Sequence, residues 1–246
     1  ACEKCGQWEQ ALWLLKELRA AELEPDVVSY SAGVSACEKS WQWQQGLLLF
    51  VEMRDVQVEL NVITYNAGIS ACEKSWQWQQ AGSLLKQLME ARLKADVVSF
   101  GAAISACEKG GHWEHALSLF CECGETGLEP DVVMFNALVS VCEKGRQWQM
   151  AVLLLCFLRT AGVEPTLISY NAGMAACAKA GQWQHVLVVL GGLLEVTLEP
   201  DVLSFSSGIS ACEEGGRWKQ ALSLLAGLHE SEHKRLLCWS KYCVTK

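Results

Sequence analysis

Apolar residues recur along this chain at helical spacing and do not alternate in the manner of a strand. Between Val62 and Asp96, Tyr65, Ile69 and Cys72 stand at i, i+4 and i+7 and mark one face of a first helix. Ser75-Trp76 interrupts the pattern, where equivalent stretches carry Gly110-Gly111 and Ala180-Gly181, a turn signal. A second stripe follows at Trp78, Ala81, Leu85 and Leu88. Segments such as Leu128-Glu129-Pro130-Asp131 close the stretch, because Pro disfavours helix in the residue before it and permits a new helix after it. The pattern predicts two short helices folded into a hairpin, and an all-α chain.

The hairpin repeats. Cys2, Cys37, Cys72, Cys107, Cys142, Cys177 and Cys212 are separated by a constant step of 35 residues. Tryptophan keeps the same step at Trp8, Trp43, Trp78, Trp113, Trp148, Trp183 and Trp218, and Pro25, Pro130, Pro165 and Pro200 share one phase of it. Such self-similarity predicts stacked hairpins that bury a continuous core, because one hairpin cannot cover its own apolar face. Complete units are expected at 27–61, 62–96, 97–131, 132–166 and 167–201. Residues 1–26 read as a partial unit, 202–230 as a degenerate or truncated one, and 231–246 as a tail of unassigned structure. The chain opens in mid-unit without Met or a targeting peptide and reads as a fragment. The phase-locked tryptophans are expected to be mostly buried where hairpins pack, and Trp41 and Trp76, in inter-helix turns, partly exposed.

Composition narrows the chemistry. Thirteen cysteines in 246 residues, at regular solenoid spacing, suit small core residues in a reducing compartment better than a disulfide framework. The net charge of −8 argues against nucleic-acid binding by bulk charge, so a basic surface has to be local. No apolar run approaches the ~20 residues that span a bilayer, and no membrane association is expected. Glycine loops that cradle phosphate, nucleophile elbows and paired carboxylates are not found. His112 with His115, Cys121 with Cys123, and His229, His233, Cys238 and Cys243 match no metal motif, so neither metal nor cofactor is expected.

The first helices carry a second, polar face. At about 100° per residue, Ile63, Asn66, Ser70 and Lys74 fall on one side. The same places read Val28, Ser31, Ser35, Lys39, then Val133, Asn136, Ser140, Lys144, then Ile168, Asn171, Ala175, Lys179. Asn and Ser are mediocre helix formers and gain little inside a helix without a task for the side chain. Lys4, Lys39, Lys74, Lys109, Lys144 and Lys179 predict a positive line with one charge per hairpin. Layers at about 9–10 Å suit an extended single strand.

The 35-residue hairpins, the openings Asp-Val-Val-Ser-Tyr and Val-Ile-Thr-Tyr-Asn, the Ser-Ala-Cys-Glu-Lys segment before the turn and the Glu-Pro-Asp close resemble pentatricopeptide repeats over about residues 1–230. The 34-residue tetratricopeptide period fails because the register here does not drift. The resemblance implies a right-handed α-α superhelical solenoid that binds single-stranded RNA at one base per repeat, in mitochondria or chloroplasts. It implies base-sandwiching by Val28, Ile63, Val98, Val133, Ile168 and Leu203, and phosphate contacts by Lys39, Lys74, Lys109, Lys144 and Lys179. The implied base-reading pairs are Ser31 with Asn61, Asn66 with Asp96, Gly101 with Asp131, Asn136 with Thr166, and Asn171 with Asp201. By the family's pairing habit these specify adenine, uracil, no fixed base, a pyrimidine and uracil. Ser206 has no closing partner, and Glu214 replaces the sixth lysine.

Two functions fit the residues. One is a non-catalytic, sequence-selective RNA-binding module, expected as a monomer, although family members can carry a deaminase-like or nuclease domain after the array. The other is a protein-interaction solenoid or adaptor that uses its groove, favoured by the acidic balance.

Overall fold

A computed structural model of the chain describes residues 7–222 apart from 22, 24, 197 and 218. Cys2, Lys4, Trp218, Trp239 and the histidines and cysteines of the tail lie outside the described residues. Among the described residues the chain forms twelve α-helices and no strand. They divide into two compact units, 1–141 and 142–246.

The first unit holds α1 (Trp8–Ala20), α2 (Val27–Lys39), α3 (Trp43–Asp55), α4 (Val62–Lys74), α5 (Trp78–Glu90), α6 (Val97–Ala106), α7 (Trp113–Glu125) and most of α8 (Val132–Lys144). The second holds α9 (Trp148–Thr160), α10 (Leu167–Lys179), α11 (Trp183–Glu195) and α12 (Val202–Glu214). Within each unit the first helices form one layer: α2 packs on α4 and α4 on α6, and α10 packs on α12. Second helices rest on their own partner and on the next first helix, as α3 does on α2 and α4, α5 on α4 and α6, and α11 on α10 and α12.

The sequence dictates the register. In α4 the stripe Tyr65, Ile69 and Cys72 is buried, and its equivalents in α2 are Tyr30, Val34 and Cys37. In α5, Ala81, Leu85 and Leu88 face the same core. Each turn between paired helices needs one residue in left-handed backbone. Glycine fills that place at Gly111, Gly181 and Gly216, with φ of 61°, 68° and 65°. Trp41, Trp76 and Arg146 occupy it in the other hairpins with φ of 62°, 57° and 56°, despite the Cβ penalty. Trp41 and Trp76 are exposed there, as expected.

The remaining tryptophans pack where hairpins meet, as expected, but at the edge of the core. Trp8, Trp43, Trp78, Trp113, Trp148 and Trp183 each begin a second helix and are half-buried, outside the core. A side chain on the first helical residue leans toward the N-terminus, over the turn rather than into the stripe. There it meets the following hairpin. Trp78 stacks on His112 at 4.4 Å and His115 at 5.0 Å between ring centroids, and Trp148 stacks on His185 at 4.4 Å. His112 and His115 are thus packing residues, and no metal cluster occurs among the described residues.

Among the described residues the periodic cysteines, Cys37, Cys72, Cys107, Cys142, Cys177 and Cys212, are free and buried. Burial pushes their thiols up to about 11 at Cys37, Cys142 and Cys177 and to about 12 at Cys72 and Cys107. The thiolate is the nucleophile, so a buried thiol of this kind is inert. Among the described cysteines, Cys121 and Cys156 are exposed. Peptide mass mapping after a short maleimide pulse on the native chain should therefore find label on Cys121 and Cys156 and none on Cys72 or Cys107. Rapid label on Cys72 would contradict this packing.

Candidate nucleic-acid interface

The residue that closes each sequence unit has a defined structural task. Asp26, Asn61, Asp96, Thr166 and Asp201 all sit in extended backbone as the N-cap of the next first helix. A cap oxygen accepts one of the orphan N–H groups of the first turn. Asp96 accepts from the Ser99 backbone N–H at 2.8 Å, Asn61 from Thr64 at 2.9 Å, Asp131 from Met134 at 2.8 Å and Asp201 from Ser204 at 2.8 Å. Burial works to raise the Asp96 carboxyl, but hydrogen bonds from Ser99 and Asn66 outweigh it and hold the group below the usual carboxylate range. Asp201 is held low in the same way by Ser204 and Asn171. Except at Asp131, which Met134 follows, the cap is legible in the sequence as Asp, Asn or Thr with Ser or Thr three residues later.

Two of the sequence-paired sets are in direct contact. Asn66 Nδ2 donates to Asp96 Oδ1 at 3.2 Å and Oδ2 at 3.3 Å. Asn171 Nδ2 donates to both oxygens of Asp201 at 3.2 Å. Ser31 and Asn61 are joined through Thr64, whose hydroxyl lies 2.6 Å from Ser31 Oγ and donates to Asn61 Oδ1 at 2.8 Å. Gly101 offers Asp131 no side chain, and a Cβ there would meet nothing within 4 Å. Asn136 is half-buried on α8, Thr166 caps α10, and Ser206 is exposed on α12.

The residues expected to sandwich bases form an exposed apolar set. Val28, Ile63, Val98 and Val133 in the first unit are 67%, 69%, 62% and 65% exposed. Ile168 and Leu203 in the second are 67% and 59% exposed. Each lies three residues before a reading residue on the same helix, within one turn of it. An aliphatic side chain left in water once per hairpin, beside a polar pair, is the arrangement that a flat heterocycle would cover.

The lysines are not the bare positive line the sequence suggested. Lys74 Nζ pairs with Glu38 at 2.8 Å, and Lys179 with Glu143 at 2.6 Å; Lys144 lies 3.7 Å from the same Glu143. Lys109 sits over the Trp76 ring at 5.7 Å, and Lys39 is exposed. The acidic partner precedes a lysine by one residue in the hairpin before, so the −8 balance runs through this face as alternating charge. These pairs are partly exposed and worth about 0.2–1 kcal/mol each. Glu73 and Glu108 take part too: burial raises the Glu73 carboxyl, and Ser140 Oγ donates to Glu108 at 2.8 Å.

The family model of the pentatricopeptide repeat domain matches residues 13–75, 48–110, 118–179 and 162–215, and that of the PPR repeat matches 1–23 and 98–128. Among solved structures, the pentatricopeptide repeat protein PPR10 from maize is similar with a TM-score of 0.70 at 23% identity, over 93% of this chain and 33% of that one. PPR10 in complex with an 18-nt psaJ RNA element is similar with a TM-score of 0.64 at 23% identity, over 93% and 32%. Nuclear proteinaceous RNase P 2 from A. thaliana gives 0.66 at 12% identity, over 75% and 41%. The chain spans about a third of the length of PPR10, and at these identities the likeness is one of fold. No curated protein matches the chain.

Proposed function

The chain belongs to the pentatricopeptide repeat family, and from that premise we propose that it is a non-catalytic, sequence-selective module for single-stranded RNA, taking about one base per hairpin. The observation that carries this reading is the contact of Asn66 with Asp96, repeated by Asn171 with Asp201, beside exposed Ile63 and Ile168. PPR10 with its 18-nt psaJ RNA element supports the choice of partner. The units set out from the sequence, 27–61 through 167–201, are the proposed reading frame, and organellar transcripts are the proposed targets.

The five pairs read 5′-A-U-N-Y-U-3′, N- to C-terminus along the strand. Bases would lie between successive apolar residues: Val28 and Ile63, Ile63 and Val98, and Val98 and Val133 in the first unit, and Ile168 and Leu203 in the second. Lys39, Lys74, Lys109, Lys144 and Lys179 would take phosphates. The ion pairs with Glu38 and Glu143 do not forbid this, because a half-exposed pair contributes less than a phosphate contact can replace.

Competition between oligonucleotides across a salt series tests the reading. The wild type should select 5′-A-U-N-Y-U-3′ with a slope of log K on log salt of about −3.5, from five phosphates at about −0.7 each. Replacing Lys74, Lys109 and Lys144 by Gln should flatten the slope and weaken all sequences alike. Salt-independent affinity would instead favour a protein-interaction solenoid, the reading that the net charge of −8 and the paired lysines recommend.

A further inference from the structure

The hydroxyl at the third residue of four first helices is unexpectedly deep. Thr64, Ser99, Ser169 and Ser204 are fully buried, and Asn171 is the only other buried polar side chain among the described residues. Helix capping alone does not account for where these hydroxyls point. Ser99 Oγ lies 2.5 Å from Asn66 Oδ1, a residue of the preceding hairpin, and Ser204 Oγ lies 2.6 Å from Asn171 Oδ1. Each also lies 2.8 Å from Oδ1 of its own cap residue, Asp96 or Asp201.

Proton counting resolves the arrangement. A carboxylate only accepts, so the amide edge facing Asp96 has to be Nδ2, and Oδ1 of Asn66 has to face Ser99. The hydroxyl has one proton. Asp96 Oδ1 already accepts the Ser99 backbone N–H, and the shortest contact from Ser99 Oγ is to Asn66. The proton therefore goes to Asn66 Oδ1. With one Asn66 N–H shared between the two carboxylate oxygens, the other is left to offer, and Asp96 Oδ2 keeps a second lone pair. Uracil presents an N–H beside a carbonyl and meets both. Cytosine presents a lone pair at that ring nitrogen, which would face the carboxylate. With the amide reversed, its oxygen would face the carboxylate and the edge offered to a base would change.

We infer that this hydroxyl is a third, positioning member of the base-reading sites of Asn66 and Asn171, fixing which edge of the amide is offered to the RNA; the inference rests on the RNA-binding reading above. The chain carries its own contrast. Where the fifth residue of a unit is polar (Ser31, Asn66, Asn136, Asn171), the next first helix has Thr64, Ser99, Ser169 or Ser204. Where it is Gly101, with no amide to hold, the place is taken by Met134, and Met134 still receives its cap through the backbone.

The test is competition binding with oligonucleotides varied one base at a time. Ser99→Ala should cut the preference for U over C at the second base about tenfold, leaving the first and fifth bases unchanged, and Ser99→Thr should keep it. Ser204→Ala should do the same at the fifth base only. Melting of Ser99→Ala will report the lost cap contact, which a structural role would also move; the base ratio is the reading that it would not. A gain of function guards against misfolding: Gly101→Asn with Met134→Ser should create a preference for U at the third base that Gly101→Asn alone creates only weakly. Full preference in Ser99→Ala, a loss spread evenly over all bases, or equal gain without the serine would each overturn the inference. No base preference in the wild type would instead remove the reading beneath it, and the inference with it.

Discussion

Exchanging Asn66 for Ser and Asp96 for Asn is expected to change the preferred second base from uracil to adenine and to leave the others as they were. The variant reproduces at α4 and α6 the set already present at α2 and α4. There Asn61 Oδ1 is committed to the Thr64 N–H and hydroxyl, so its Nδ2 hydrogens are the groups left to offer. Those donors suit an acceptor nitrogen on the adenine pairing edge, where uracil has an N–H. Ser99 supplies the hydroxyl that Thr64 supplies in the hairpin before. The fold should tolerate the exchange, because Asn and Asp are nearly equal as N-caps. A mismatched base leaves polar groups unmet at about 1–3 kcal/mol, roughly fivefold to more than a hundredfold in relative affinity. Competition between oligonucleotides that differ only at the second base measures the ratio. Continued preference for U at that place would sink the assignment of this pair, whatever the rest of the array does.

Much of this was readable before any coordinates. A constant step with no insertion locates every hairpin, because helix length and turn length are both locked by the step. The pairing of Asn66 with Asp96 across 30 residues could be expected from resemblance alone, and in the structure the two side chains lie 3.2 Å apart. Three features were not read, each for a physical reason. The tryptophans share the phase of the apolar stripe, yet the first residue of a helix leans over its turn. The lysine line does not stand alone, because Glu38 and Glu143 each stand one residue before a lysine and stacking brings them onto Lys74 and Lys179 of the next hairpin. The third-place hydroxyl was invisible because Ser and Thr at that position serve any helix start, and only the coordinates separate a cap from a brace on the hairpin before.

The half-buried position of Trp113 reverses an expectation about stability. Were Trp113 a core residue, its truncation would unfold the middle of the array. It is half-buried, whereas Phe100 on the neighbouring α6 is fully enclosed. Phe100→Ala removes a ring from a packed site that cannot collapse onto the gap, at a cost of about 3–5 kcal/mol. A domain has only about 5–15 kcal/mol in all, and in a stacked array the loss falls on the hairpin and its immediate neighbours rather than on the whole chain. Trp113→Ala leaves the apolar stripe of α7 intact, with Ala116, Leu119 and Cys123 still buried, and should cost less than half as much. Urea unfolding followed by helical circular dichroism will separate the two: Phe100→Ala should give a broadened or two-step transition, and Trp113→Ala a single transition at slightly lower urea. A larger loss in Trp113→Ala than in Phe100→Ala would place the tryptophan in the core.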